Sequence, residues 1–538
     1  MKMAESSPHT PSPYEVTPLK TKGEIDEVRL EAALGHRQEL KRNFGLWSLT
    51  SLGIVIANSW ASTGGTIVAA LQNGGPMAVI YGLILVSIFY TAISASLAEL
   101  ASSMPSAGGV YYWSSVLSRS RGRGAGFVTG YFNAFAWLLS ASSMSSILGN
   151  EAVAMFLLKH ENIEWRSWHV FIVFQLMNWS CCAIVCFGNR FIPILNRIAL
   201  TLSMVGLIVT VIVLAVMPKT HASNRQVWTE YHNRTGGWSD GICFMTGLLN
   251  AAFAVGTPDC ISHLSEEVPK PERRVPQGIM LQMLTAFITS FIYLIALFYS
   301  IQDLDAVLDS SISSFPTAEI YRQATGSETG AVGLIAVLFL ATFPTPNRHL
   351  RDWRPNVYFA QVHPKLNCPV RATVALSAMV TCIGCIYVGS TTAFQALISS
   401  FIVLSSLSYF GAILPHVLSG RRNMVPGPFY MGQRLGMAVN ITALGYILVT
   451  VVFFCFPLVL PVTTQNMNYT SVIIAGLMAL CAIWWIFRAR RRYQGPQYSF
   501  EAAERLTAYQ TGKEGRRSFI DVANPGPRPY GEGEYQMR

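Results

Sequence analysis

The sequence predicts an all-α polytopic membrane protein with about twelve transmembrane helices, and three observations carry that prediction. Of 538 residues, 51% are hydrophobic and only 13% charged, against about a quarter charged in a soluble domain. Uncharged runs near the ~20 residues that span a bilayer recur down the chain. The basic residues behind the net charge of +10 sit in short loops and in both tails, where they orient a membrane protein rather than bind nucleic acid.

Residues 1–44 are polar, with Ile25, Val28, Leu30, Leu34 and Leu40 set among charges, the pattern of a short amphipathic helix on the inner membrane face. No apolar core follows Met1–Thr10, so no cleavable signal peptide is expected and the first span serves as the targeting signal. Spans are read at 45–70, 76–100, 125–149, 168–189, 192–217, 241–263, 277–300, 329–343, 370–391, 393–416, 436–462 and 469–488. Residues 489–538 form a polar tail rich in Arg, Gly, Pro and Glu, a composition that cannot build a core.

The first span carries Asn58, Ser59, Trp60, Ala61, Ser62, Thr63, Gly64 and Gly65 between two apolar flanks. Glycine favours non-helical dihedrals and Ser/Thr compete for backbone hydrogen bonds, so unwinding is expected at Ser62–Gly65. Exposed backbone in a membrane is tolerated only around a cavity or inside protein. The competing reading is that small residues merely let helices approach closely. The sixth span is interrupted likewise, at Gly256, Thr257 and Pro258. Paired interruptions at corresponding positions of two repeats point to a transporter's midplane site. There, N–H groups at one helix end meet an anion and free carbonyls at another meet a cation.

Asp259 lies just past the second break and is read as a counter-ion for a cationic substrate, as a proton carrier, or as a cap of the following half-helix. His263, Glu266 and Glu267 lie nearer the cytoplasmic end and suit a gate or a coupling cluster. Trp60, Trp137, Phe253 and Tyr131 are candidates for a cation–π wall. The eighth segment is short: its 15 residues make roughly 22 Å of helix, less than the ~30 Å hydrocarbon core. It is expected to cross nonetheless, because otherwise Arg421, Arg422 and the 488–492 cluster would face outward.

Alternate short loops carry Arg119, Arg121 and Arg123; Arg190; Lys270, Arg273 and Arg274; Arg348, Arg351 and Arg354; and Arg421, Arg422 and Arg434. These loops and both tails belong in the cytoplasm. The sequons at Asn233 and Asn468 then fall outside, where glycosylation is expected. Most of the ten cysteines lie within apolar spans and read as small core residues. Cys382 and Cys385 have metal spacing but no second pair. Gly122, Gly124 and Gly126 follow no strand and lack a P-loop lysine, so they suit the start of the third span rather than a phosphate. No nucleophile elbow, zinc motif or nucleotide cassette is present, so neither an enzyme, a cofactor nor an ATP-driven pump is indicated.

Several motifs together resemble one family. Asn58-Ser59-Trp60 through Gly65, Gly74-Gly75-Pro76, Ala98-Glu99-Leu100 with Pro105 through Trp113, and His263 through Glu267 are similar to fungal permeases of the amino acid–polyamine–organocation superfamily, in the branch of choline and GABA permeases. The resemblance covers residues 40–490. It implies two inverted five-helix repeats (45–217 and 241–416) and two further helices (436–488). It also implies secondary active uptake by alternating access, commonly proton-coupled, with the substrate held by the two broken helices. On that basis Asn58, Ser59, Trp60, Ser62, Thr63, Gly64, Gly65, Phe253, Gly256, Thr257 and Asp259 are the expected substrate-binding residues. The expected partners are a choline-like, GABA-like or amino-acid substrate, a proton and the lipid bilayer, in the plasma membrane.

Two departures from the family bear on function. The chain runs from Phe343 through Pro344 to Trp353 without the usual motif and regains family character near His363, which raises the alternative of a nutrient sensor or an inactive paralogue. Some members carry a fifth-span lysine in place of a sodium ion, whereas Ile192–Met217 holds Arg197 as its only charge.

Overall fold

The computed structural model describes residues 45–160, 163, 166–188, 191–310, 315–344, 363, 366, 368–389, 393–464, 466–493 and 495–496. The expected amphipathic segment before residue 45, the tail beyond 496, Arg190, and Arg348, Arg351 and Arg354 lie outside the described residues.

Among the described residues every predicted span contains helix. The first span is three helices, α1 (Leu46–Ala57), α2 (Ser59–Gly65) and α3 (Ile67–Gln72), followed by the short strand β1 (Asn73–Gly74). Then come α4 (Gly75–Ser103), α5 (Gly109–Leu117), α6 (Gly122–Leu157), α7 (Ser167–Phe187), α8 (Ile192–Val216), α9 (Asn224–Trp228) and β2 (His232–Asn233). The second half holds α10 (Asp240–Val255), α11 (Pro271–Tyr299), α12 (Leu304–Leu308), α13 (Thr317–Thr325) and α14 (Glu328–Thr342). It closes with α15 (Val370–Gly389), α16 (Ala393–Leu418), α17 (Gln433–Phe453) and α18 (Thr470–Trp484), the last running on through a π turn to Arg492. Among the described residues seven helices are by themselves long and apolar enough to cross a membrane, and three shorter apolar ones are Asp240–Val255, Glu328–Thr342 and Val370–Ile386.

Two predicted bounds need correction. The third span was read to end at residue 149, but α6 continues to Leu157 and carries Glu151 fully buried within it. The eleventh stops at Phe453, and Phe454–Val462 is irregular. The eighth segment has the length the sequence implies, 15 residues. Gly122 starts α6, and a Cβ on Gly126 would sit 2.7 Å from the Ser115 side chain. These glycines lie at the start of the third span, as expected, and Gly122 and Gly126 also allow α5 and α6 to approach closely.

The largest helix contacts join α6 to α16 and α4 to α11. On α8, Ile194, Leu195, Ile198, Leu202, Val205, Ile208, Val209 and Ile212 are exposed; their three- and four-residue spacing forms one apolar stripe, which suits lipid. Cysteines 181, 182 and 186 are buried, as expected, while Cys382 and Cys385 are exposed and no metal-binding group exists among the described residues.

The connecting loops collect at two ends. At one, β1 pairs with β2, Arg234 N–H donates to Gln72 O at 3.1 Å, Leu460 N–H donates to Thr235 O at 2.7 Å, and the Arg234 guanidinium pairs with Asp305. At the other, Arg421 donates to Glu99 at 2.6 Å with both side chains fully buried, and Arg123 donates to the carbonyls of Arg490 and Tyr493 at 2.8 Å. The loop that carries Arg234 thus lies at the first end, and those that carry Arg123 and Arg421 at the second.

Candidate functional site

The first-span interruption is real but displaced from the place the small residues suggest. Ser59–Gly65 is helical, and the break lies at Asn58, which adopts φ 38°, ψ 49°. A second kink falls at Thr66, with φ −122°, ψ 11°. The unwinding expected at Ser62–Gly65 is therefore corrected. Thr63 Oγ1 donates to Ser59 O at 2.7 Å and Thr66 Oγ1 to Ser62 O at 2.9 Å, so the hydroxyls fold onto their own helix and do not displace its backbone bonds. Asparagine tolerates the left-handed region and is favoured just past a helix C-terminus, which is where Asn58 stands.

The Asn58 side chain fastens this break to two neighbours. Its Nδ2 donates to Ala341 O near the end of α14 at 3.0 Å, and its Oδ1 accepts from Ser203 of α8 at 3.0 Å. Ser203 in turn accepts from Trp60 Nε1 at 3.0 Å. A small cavity of about 10 Å³, close to the space one water needs, lies here, lined by Asn58, Ser59 and Trp60 together with residues of α1, α8 and α11. Gln282 of α11 lines it and reaches back to the second break, donating to Thr257 O at 2.9 Å and accepting from Cys260 at 3.2 Å.

The sixth span is broken where the sequence indicates. Helix α10 ends at Val255, Gly256–Asp259 is non-helical, and 3-10 turns occupy Ser262–Glu267. A side chain at Gly256 would collide with Ala252 O, so the end of α10 requires glycine, and it would also lie 2.8 Å from the Ile402 side chain of α16. The two broken segments are bonded directly: Asn250 Nδ2 donates to Thr63 O at 3.1 Å and to Thr66 Oγ1 at 2.7 Å.

Asp259 is completely buried in a polar cage. Its Oδ1 accepts from Tyr409 at 2.6 Å; its Oδ2 accepts from Asn133 at 2.8 Å and Trp137 Nε1 at 3.3 Å, and lies 3.5 Å from His263 Nε2. A donor set of this kind holds an ionised carboxylate. These partners are side chains of three elements, so Asp259 anchors α6, α16 and the 3-10 turns to one another. His263 Nδ1 lies 3.0 Å from Ala107 O, which ties the cage to the loop before α5. Gly109 there has φ +50°, and a Cβ on it would lie 2.8 Å from Ser262 Oγ.

The predicted aromatic wall is divided. Trp137 and Phe253 both pack on Phe401, at 6.4 and 5.8 Å, and Trp137 also meets the His263 ring at 6.1 Å. Trp60 lies on the other side against Tyr293 at 5.4 Å. Tyr131 does not belong to the wall. It joins Phe127, Trp485 and Tyr493 in a cluster against the end of α18. Glu266 and Glu267 are half-buried on the 3-10 turns.

Gly64 and Gly65 are sites of tight packing. A Cβ would lie 2.5 Å from the Tyr293 hydroxyl at the first and 2.8 Å from Ile147 at the second. Ser62 Oγ donates to Ala57 O at 3.2 Å, and Gly64 O accepts from Thr317 of α13 at 2.6 Å. Of the two sequons, Asn233 is exposed, but Asn468 is half-buried and donates both amide hydrogens, to Phe454 O and Phe456 O at 2.8 and 3.0 Å. Sequence reasoning missed Asn133, Ser203, Asn250, Gln282, Tyr409 and Glu151. A lone amide or acid in an apolar run was the available signal for four of them.

Residues 44–344 and 352–479 match the family described as Amino acid permease, with the interruption falling just after α14. A choline transporter of Saccharomyces cerevisiae is 34% identical over 94% of this chain and 92% of its own. An amino-acid permease of Arabidopsis thaliana is 27% identical over 87% of this chain and 96% of its own. A 7-keto 8-aminopelargonic acid transporter of Saccharomyces cerevisiae is 27% identical over 85% and 94%.

Proposed function

Because this chain belongs to the amino acid permease family, we propose that it imports a small amino acid, choline or a related nitrogen compound by proton-coupled alternating access. A multi-pass membrane transporter, not an enzyme, is the common ground of its relatives. The observation that carries the finer reading is the direct bonding of the two broken spans through Asn250, with the buried Asp259 carboxylate just past the second break held by α6 and α16. Paired breaks of this kind suit a substrate site near the bilayer midplane.

The longest contacts of Asp259 are those to Trp137 and His263. A cationic head group reaches the carboxylate when these two swing away, with Trp137, Phe253 and Phe401 supplying the aromatic faces. Asn58, Ser59 and Trp60 contribute the opposite wall. The seven long apolar helices and three shorter ones among the described residues, with the broken first span, support a reading of twelve crossings in two inverted five-helix repeats and two additional helices. The arginine bias supports cytoplasmic termini, and uptake of an external nutrient supports the plasma membrane. The alternative of a disabled paralogue gains no support, since α14 is present and is bonded to the first break through Ala341.

The test is uptake of labelled choline, GABA and amino acids by cells lacking their own permeases, with and without a protonophore. Accumulation abolished by the protonophore is the expected result. Accumulation that survives it would exclude proton coupling, and no accumulation of any substrate by surface-expressed protein would exclude the transporter reading.

A further inference from the structure

A second buried acid lies outside the Asp259 cage. Glu151 of α6 is 0% exposed. Its Oε2 has no hydrogen-bond partner among the described residues, and Oε1 meets only the Thr342 hydroxyl, at a long 3.5 Å. That hydroxyl already donates to Leu338 O at 2.9 Å. The contrast with Asp259 is chemical. Asp259 is surrounded by donors, as an anion requires, whereas Glu151 is offered almost none, and an ionised carboxylate without partners is not stable away from water. The titratable groups near enough to interact with it are the hydroxyls of Tyr293 on α11 and Tyr321 on α13, which bond each other at 2.8 Å. The next charges along the chain, Lys159 just beyond α6 and Glu328 at the start of α14, lie 3.7 Å from each other at an exposed end.

We infer that Glu151 is a proton-binding site, carrying a proton in this conformation and releasing it when α6 and α14 separate. Its neighbours connect it by three routes to the two ends of α2, the break at Asn58 and the kink at Thr66. Thr342 follows Ala341, whose carbonyl holds Asn58. Ile147, one turn before Glu151, meets Gly65, and Tyr293 meets Gly64. A proton leaving Glu151 places an unpartnered charge at the junction that Asn58, Gly64 and Gly65 share. The charge is relieved only when water enters between the helices. A proton needs no cavity, which is why it fits this enclosed site and a substrate head group does not. The inference rests on the proton-coupled reading above.

Infrared spectroscopy of the purified full chain in nanodiscs tests it without any substrate. The expected result is a deuterium-sensitive carbonyl band of a protonated carboxyl group at neutral pH. The band shifts on heavy-isotope labelling of glutamate and is absent in Glu151→Gln, whose amide matches the protonated acid in shape. A missing band, or one that ignores glutamate labelling or survives the substitution, overturns the assignment. In proteoliposomes Glu151→Gln should exchange labelled choline at close to the wild-type rate but accumulate it at least ~10-fold less under a pH gradient, a loss of ~1.4 kcal/mol or more in driving force. Wild-type accumulation by this variant also overturns the inference. Failure of the wild type to move any substrate counts against the transporter reading, while the infrared band still decides the state of Glu151.

Discussion

Asp259 and Glu151 carry the same carboxyl group in opposite surroundings, the first ringed by donors and the second offered almost none. Asp259 is reached by Tyr409 at 2.6 Å, Asn133 at 2.8 Å and Trp137 at 3.3 Å. In Asp259→Asn, the new N–H₂ either faces the Asn133 and Trp137 donors, or faces the Tyr409 hydroxyl, which must then turn its hydrogen to Gly256 O at 3.2 Å and give up its short bond to a charged oxygen. Hydrogen bonds to a charged group contribute about 1.5–3 kcal/mol each, and a buried donor left facing donors loses that and its solvation. The variant is expected to melt several degrees lower and to lose about tenfold or more of uptake, a factor that ~1.4 kcal/mol suffices to produce. Thermal melting of detergent-purified protein beside an uptake assay checks both. Unchanged melting would show that the cage does not hold the second break in place.

At the scale of elements, the spans themselves were legible because bilayer thickness imposes long apolar runs that no other constraint erases. The breaks were less so. Glycine and serine signalled a special place around residue 60, but the signal was packing, and the chain turns at Asn58 instead. Close approach and unwinding both select small residues, and only the partners across the interface tell them apart: Tyr293 for Gly64, Ile147 for Gly65 and Thr317 for the Gly64 carbonyl. Likewise Glu99 and Arg421, 322 positions apart, gave no sequence sign of their buried pairing. The close fit of α2 against α11 makes a prediction. In Gly64→Ala the new methyl meets the Tyr293 hydroxyl, and overpacking of this sort costs about 1–3 kcal/mol. Tyr293→Phe removes that oxygen at about 1 kcal/mol for the lost bond to Tyr321. The double substitution should therefore recover much of the uptake and melting temperature that Gly64→Ala loses. Simple addition of the two losses would show that the methyl disturbs something other than Tyr293.

The whole molecule is tied together at the end opposite its buried Glu99–Arg421 pair. There the turn before α4, the connection from α8 to α10, α12 and the segment after α17 meet around residues 232–235. If substrate enters from that end, these bonds must part once in every cycle, and a covalent link across them must stop transport. Asn73 and Asn233 are direct partners in the β1–β2 pair, and residues directly opposite in an antiparallel ladder lie about 4.5–5.5 Å apart at Cα, within the range a disulfide spans. The pair Asn73→Cys with Asn233→Cys is thus expected to crosslink spontaneously, with the wild type, whose ten cysteines are free, as the control. Uptake should be absent while the bond is intact and return when a membrane-impermeant reductant is added outside intact cells. Recovery only after permeabilisation would place this end in the cytoplasm and reverse the orientation drawn from the arginines. Full uptake with the bond intact would mean that this end does not open, so that substrate passes elsewhere between the helices.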